Sequence, residues 1–182
     1  MNSTGKTDAG SAIDLGCGPD KVKGAYGVDR HLYPGVDQQV DFDSSPWPLK
    51  SNAYTVIHAR HVIEHVAYIP SFMNEIHRIA VDGAEVHIVT PHFSSIDSWT
   101  DPTHRWHLSC NWHVPFTEKR YLSDQVARFE HVATELHFAP NSLRTLIPRL
   151  IVKLKGRDWW EKHYAFVFPA RNLYTILRVK KG

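Results

Sequence analysis

The stretch Ser11-Ala-Ile-Asp-Leu-Gly-Cys-Gly-Pro19, followed by Ala25-Tyr-Gly-Val-Asp29, decides the fold. A short apolar run stopped by Gly-Cys-Gly-Pro reads as a buried strand ending in a tight turn. The second stretch repeats that form and closes on an acid. Working outward, Val36 to Phe42 reads as a third strand, followed by a Ser44-Ser-Pro-Trp-Pro48 loop. Tyr54-Thr-Val-Ile-His58 is a fourth strand, and Ala84-Glu-Val-His-Ile-Val-Thr90 a fifth that stops at Pro91. Between these two, Ile69 to Ala80 starts on Pro70 and Ser71 and sets Phe72, Ile76 and Ile79 on one helical face; Asp82-Gly83 should end it. Strands alternating with a helix predict an α/β protein built on a parallel sheet.

Gly16 and Gly18 lack Cβ atoms and let backbone pass close to a ligand at the carboxyl edge of such a sheet, where nucleotide-like molecules bind. A dinucleotide fingerprint is disfavoured, because Lys21 stands where a third Gly belongs. Asp29 also comes only eleven residues after Gly18, against about 20 in that fingerprint. Gly5-Lys6-Thr7 lacks the first Gly and the preceding strand of a phosphate-binding loop.

Ile13-Asp-Leu-Gly-Cys-Gly-Pro19 with Gly27-Val-Asp29 resembles the first two motifs of the class I S-adenosylmethionine (SAM)-dependent methyltransferases. Asp41-Phe-Asp43 resembles their third segment. Ala59-Arg-His-Val-Ile-Glu-His-Val66 is similar to a stretch found in a large, small-bacterial, type 11-like subgroup. Met73 to Gly83 resembles that subgroup's helix and turn, and Asp101-Pro-Thr-His104 resembles its small bacterial members. The resemblance implies a Rossmann-like doubly wound sheet of five parallel strands. His131–Phe138 and Leu173–Val179 would supply a terminal antiparallel pair. Only Pro19 to Tyr26 separate the Gly turn from Gly27, so the first helix should be shortened. It further implies SAM as the cofactor. Gly16 and Gly18, with Cys17 between them, would line its methionine and ribose side, and Asp14 would sit near its amino group. Asp29, followed by Arg30, would take both ribose hydroxyls, and Asp41 with Phe42 would hold the adenine. Ala59 and Arg60 would face the sulfonium and the acceptor. The commonly acidic position before the fourth strand is Thr55 here, and the closing Gly-Gly turn reads Gly83-Ala84.

Residues 91–116 are rich in His, Trp, Pro and Ser without a period, a length usual for binding loops or lids. Thr117 to Ala127 reads as helical. In residues 141–155 an apolar stripe of Leu143, Leu146, Ile147, Leu150, Ile151 and Leu154 runs along one helix face, with Pro148 expected to kink or split it. The expected occupant of that stripe is the chain's own core; a lid, a homodimer contact or a membrane-surface contact is the alternative. Segments 91–116 and 141–165 are expected to cap the acceptor site. Residues 141–182 carry ten Lys/Arg against two acids, whereas residues 1–140 carry eleven against seventeen. This asymmetry suits an anionic, sugar- or phosphate-bearing acceptor as well as a solvated basic face.

Nine of the thirteen histidines fall between positions 58 and 113. His61 and His65 are expected four apart on a helix, and His104 and His107 are three apart, spacings compatible with metal ligands. There is no His-Glu-x-x-His and no Cys pair, so the expected reading has no metal site. Methyl transfer requires alignment above all. A hydroxyl acceptor gains from a general base, and imidazole titrates in the useful range. His61, His92 and His104 are the candidates, with Asp101 placed to orient His104. Trp99, Trp106 and Trp112 are candidates for an acceptor wall. A methyltransferase-like binding module and a histidine-bound metal enzyme on the same scaffold are the competing readings.

The chain has 182 residues, 42% hydrophobic and 22% charged, ordinary for a globular protein rather than a disordered one. Residues 1–10 read as a loose polar tail, and residues 11–182 as one domain. Cys17 and Cys110 cannot build a disulfide framework and suit a reducing compartment. The polar amino terminus is no secretory signal, and no run is long enough for a membrane span, so the expected location is cytoplasmic. No RNA-binding signature is present, which disfavours a nucleic-acid acceptor over a small molecule.

Overall fold

The computed structural model describes residues 11–118, 126–139 and 143–182. Seven strands form one sheet in the order β3-β2-β1-β4-β5-β7-β6. They are β1 (Ser11–Leu15), β2 (Tyr26–Asp29), β3 (Gln38–Gln39), β4 (Tyr54–Arg60), β5 (Ala80–Pro91), β6 (Phe129–His137) and β7 (Asn172–Val179). The first five run parallel, and β7 lies antiparallel between β5 and β6. The α/β sheet with a terminal antiparallel pair therefore stands as the sequence predicts.

The central strands are apolar because both faces are covered. Ile13, Leu15, Val28, Ile57, Ala59, Val86 and Ile88 are buried. Helix α1 (Ile69–Ile79) presents Phe72, Met73, Ile76 and Ile79 to this core. Each such side chain contributes about 1.5–3 kcal/mol relative to exposure. Pro70 occupies the first turn, where its missing N–H is harmless. Buried Glu75 accepts a hydrogen bond from Trp47 N at 2.7 Å and pairs with Arg78. Arg78 in turn donates to the carbonyls of Trp47 and Leu49, so α1 anchors the loop that follows Asp41.

Several local expectations change. The third strand shrinks to Gln38–Gln39, because Asp37 turns back to Gly27 N and Lys21 while Asp41 and Asp43 pair with Arg30. The first helix is absent, replaced by turns over residues 16–25. Asp82-Gly83 does not end α1; Tyr54 pairs with Ala80 and Val56 with Glu85, so the intervening residues bulge within β5 around Gly83 at φ +76°. His61 to His65 form a turn, not a helix, because His61 takes a left-handed φ of +57° directly after β4. Short helices α2 (Asp97–Thr100) and α3 (Val114–Thr117) interrupt the irregular segment. Of the helix expected over 117–127, residues 119–125 lie outside the described residues, and Glu118 is extended.

Helix α4 (Leu143–Lys155) contains Pro148 without splitting, and α5 (Arg157–Tyr164) follows Gly156. Trp160 of α5 is fully buried against Phe138 and His92. The stripe on α4 packs on the chain's own core only in part, through Ile151 against the cluster of Phe138 and Trp160. Leu146, Ile147, Leu150 and Leu154 lie exposed, Leu154 at 70%. Among the described residues no helix is long and apolar enough to cross a membrane.

Candidate functional site

The carboxyl ends of β1, β2, β4 and β5 bring the sequence-selected residues to one edge of the sheet. Gly16 N and Cys17 N both donate to Val28 O, at 2.8 and 3.2 Å, folding the bend back onto β2. Gly16 has φ +64°, and a Cβ there would come within 2.0 Å of a Val62 methyl. Gly18 has φ +52° with nothing near its absent Cβ, so its bare backbone faces open space. Cys17 is buried, and its thiol pKa is pushed up by burial and by the neighbouring Asp14 and Asp29.

Asp29, 9% exposed, is held by two backbone donors: Gly18 N to Oδ2 at 2.9 Å and His31 N to Oδ1 at 2.8 Å. A carboxylate has about four lone-pair sites, so each oxygen keeps one for a further donor. Asp14 is fully buried. Its Oδ2 accepts from Val22 N and from Arg60 Nη2, each at 2.8 Å, while its Oδ1 has no partner among the described residues. Arg60 also donates to Asp20 O at 2.6 Å, bridging β4 to the Gly turn.

Asp41 is exposed and pairs with Arg30 at 2.7 Å; that bond, with Asp43 N, holds its pKa below the ordinary range. Phe42 is half-buried edge-on to Trp47 and Phe72. Ala59 is buried at the end of β4.

The histidines separate into different environments. His61, half exposed, places Nδ1 3.3 Å from Glu64 Oε1. His92 is fully buried, its Nε2 donating to Glu161 Oε1 at 2.9 Å while Nδ1 accepts from Ser94 N. His104 Nδ1 donates to Ser98 O, and its ring lies 4.6 Å from that of His65. Asp101 is exposed and does not bond the His104 ring. Its Oδ1 accepts from Thr103 N and Oγ1, and Thr103 Oγ1 bonds His65 Nδ1 at 2.9 Å. Thr103 is a connection that sequence reasoning missed; the Asp-Pro-Thr-His spacing contained the signal, since a Thr two residues after an Asp completes a local turn.

Segment 98–107 is fastened to the turn after β4. Arg105 N donates to Glu64 O at 2.8 Å and Trp106 Nε1 to Val66 O at 2.8 Å. Trp99 stacks on His107 with centroids 3.6 Å apart, whereas Trp112 is buried with its Nε1 on Thr175. A cavity of about 580 Å³ opens beside Phe93, Trp99, Phe166 and Arg171, past the ends of β5 and β7. A second, of about 470 Å³, lies between β6 and α4.

The chain is similar in fold to an S-adenosylmethionine-dependent methyltransferase from Mesorhizobium loti, at 14% identity and a TM-score of 0.60, covering 94% of this chain and 92% of that one. The YcgJ protein of Bacillus subtilis gives 14% identity and a TM-score of 0.58, with 99% and 95% covered. The [4+2]-cyclase SpnF gives 16% and 0.57, with 96% and 77% covered. No curated protein matches significantly. A family model described as a methyltransferase domain matches residues 3–135, and the chain belongs to that family.

Proposed function

We propose that this protein transfers a methyl group from SAM to a small-molecule or sugar- or phosphate-bearing acceptor. The observation that carries the reading is Asp29, a low-exposure carboxylate fixed by two backbone bonds beside the open Gly18 bend. That geometry suits a ribose diol, which needs two acceptors of fixed direction. The residues present fit the rest of the molecule too. The unpartnered, buried Asp14 Oδ1 suits an ammonium group, and Phe42 with Asp41 suits an adenine ring and its exocyclic amine.

SAM supplies, when bound, a methyl group on an electrophilic sulfonium. The chain's own contribution is alignment together with removal of the acceptor's proton. His61 is the strongest candidate for that proton: it stands at the end of β4 with an exposed ring on a left-handed backbone, a conformation that concentrates at functional sites. His104 is the second; Asp101 reaches His65 through Thr103 rather than orienting His104. His92, saturated in the core, belongs with the structural residues. The cavity beside Phe93, Trp99 and Phe166 suits an apolar acceptor body, and Arg171 at its rim suits an anionic substituent.

Calorimetric titration with SAM tests the reading. Binding by the intact protein that weakens on the order of 100-fold in Asp29→Ala, the worth of two charge-assisted hydrogen bonds, supports it. No binding, or binding indifferent to Asp29, overturns it. A second reading, a methyltransferase-like protein that does not methylate, draws on the likeness to a cyclase and on Arg60 pairing with Asp14. Turnover of labelled SAM against a metabolite panel separates the two.

A further inference from the structure

We propose that Glu64, His65 and His104 form a binding site for a divalent transition-metal ion of the zinc type. One ligand atom from each lies within 4.8 Å of the others. The hydrogen bonds around them settle which atoms are available. Ser98 O can only accept, so His104 carries its proton on Nδ1 and its lone pair on Nε2. Thr103 Oγ1 donates its one proton to Asp101 Oδ1, so it must accept from His65 Nδ1–H, leaving that ring's lone pair on Nε2 as well. Outer partners of this kind, a carbonyl and a carboxylate relay, are what hold metal-binding imidazoles in the required tautomer.

The carboxylate completes the set. Glu64 is 1% exposed, and Thr90 Oγ1 donates to its Oε2 at 3.0 Å. Its Oε1 is buried without a hydrogen bond among the described residues. A buried, unpartnered carboxylate oxygen costs free energy unless a cation meets it. His61 Nδ1 is 3.3 Å from that oxygen, about the edge of a tetrahedron with metal bonds near 2.0 Å. His61 is therefore placed either to cap Glu64 or to join the coordination. Two imidazoles and a carboxylate are a donor set for zinc and related ions rather than for magnesium, and three protein ligands leave a position open.

The other histidine–acid cluster, His92, Cys110 and Glu161, meets the same distance limit, but both His92 ring nitrogens and Glu161 Oε1 already have hydrogen-bond partners. Glu161 Oε1 accepts from both His92 Nε2 and Cys110 N, and His92 Nδ1 accepts from Ser94. A metal there would have to displace these hydrogen bonds.

The test uses full-length, tag-free protein stripped of metal, titrated with Zn²⁺ and, in separate arms, Mn²⁺ and Mg²⁺. One equivalent of Zn²⁺ should bind without SAM, and Mg²⁺ should bind far more weakly. His65→Ala and His104→Ala should each lose more than the roughly 10–100-fold typical of an outer-shell partner. Glu64→Gln, which keeps the side-chain volume, guards against a folding artefact, and thermal melts of all three check the same point. Co²⁺ in place of Zn²⁺ should show d–d bands without thiolate charge transfer. Absence of Zn²⁺ and Mn²⁺ binding in the intact protein overturns the proposal. So does binding that survives in His65→Ala/His104→Ala, or a thiolate band that Cys110→Ser abolishes. None of these readouts involves SAM, so the site can fail without the methyl-transfer reading failing, and the reverse.

Discussion

Glu161 and Glu64 are both carboxylates beside a histidine, and both clusters draw on the irregular segment that follows β5, yet their hydrogen bonding is opposite. Around Glu161 the facing groups are complementary: His92 donates from Nε2 and accepts at Nδ1, and the Cys110 amide reaches the same carboxylate oxygen. Burial, reinforced by Glu161, pushes the Cys110 thiol far up, so it stays protonated and is itself a donor. Around Glu64 the donors are fixed from behind and the acceptors face one another: two imidazole lone pairs and one carboxylate oxygen. The same residue types thus make a structural knot in one place and a set of converging acceptors in the other. What decides is the direction of the neighbouring donors, not composition.

The knot gives the largest expected effect. Glu161→Ala strands the His92 Nε2–H and the Cys110 N–H in an apolar pocket under Trp160. Each stranded buried donor costs about 1–3 kcal/mol, and the unfolding midpoint in urea should fall accordingly. Glu64→Ala should cost less, since only Oε2 loses a hydrogen bond, the one from Thr90 Oγ1, while Oε1 has none among the described residues. Equal losses would mean that the two clusters are alike. Burial opposes ionisation of Glu161, but the bonds from His92 and Cys110 outweigh it and its pKa falls below the ordinary value. Its contribution is therefore present above the ordinary Glu range and lost as pH falls through the depressed value.

A buried histidine with no carboxylate hydrogen-bonded to it among the described residues sharpens the contrast. His113 stacks on His131 with centroids 4.0 Å apart, and its Nε2 has no partner among the described residues. Burial, with His131 and Arg157 adding to it, lowers its pKa from 6.5 to about 4. Between those values the unfolded chain binds a proton that the folded one refuses. Stability should therefore decline as pH drops from about 6.5 to about 4, by up to roughly 3 kcal/mol. His113→Gln should flatten that part of the stability–pH curve in urea titrations from pH 7 to 4. A variant curve parallel to the wild type would assign the acid sensitivity elsewhere.

The sheet was legible because its signals are local. Ser11–Leu15 has to be strand and Gly16 has to be glycine, and the two facts are written within a few residues of each other. The α1 stripe is equally local, and its Pro70 start can be read without knowing what it packs on. The clusters were not legible, because each depends on contacts across long separations: Glu161 reaches His92 from 69 residues away, and Thr103 reaches His65 from 38. The i, i+4 spacing of His61 and His65 looks identical in a helix and in a turn that starts left-handed. Only the backbone at His61, whose N–H continues the ladder to Val89 O, separates them. The α4 stripe fails for a related reason. Periodicity states that a face is apolar, not what covers it, and here four of its residues remain exposed.

The smallest effect should come from Thr103, and it is the most discriminating. If the Glu64 cluster is open because its imidazoles are fixed from behind, removing the relay should loosen it without touching a ligand atom. Thr103→Val keeps the shape but leaves His65 Nδ1–H without its acceptor and Asp101 without its side-chain donor. Zn²⁺ affinity should fall about tenfold, near the lower end for outer-shell changes. Thr103→Ser restores the hydroxyl and should restore the affinity. Folding stability should move little in either, because Thr103 and Asp101 lie at the surface. Equal affinities in Val and Ser variants would mean that the relay orients nothing. The two clusters would then differ only in how deeply they are buried.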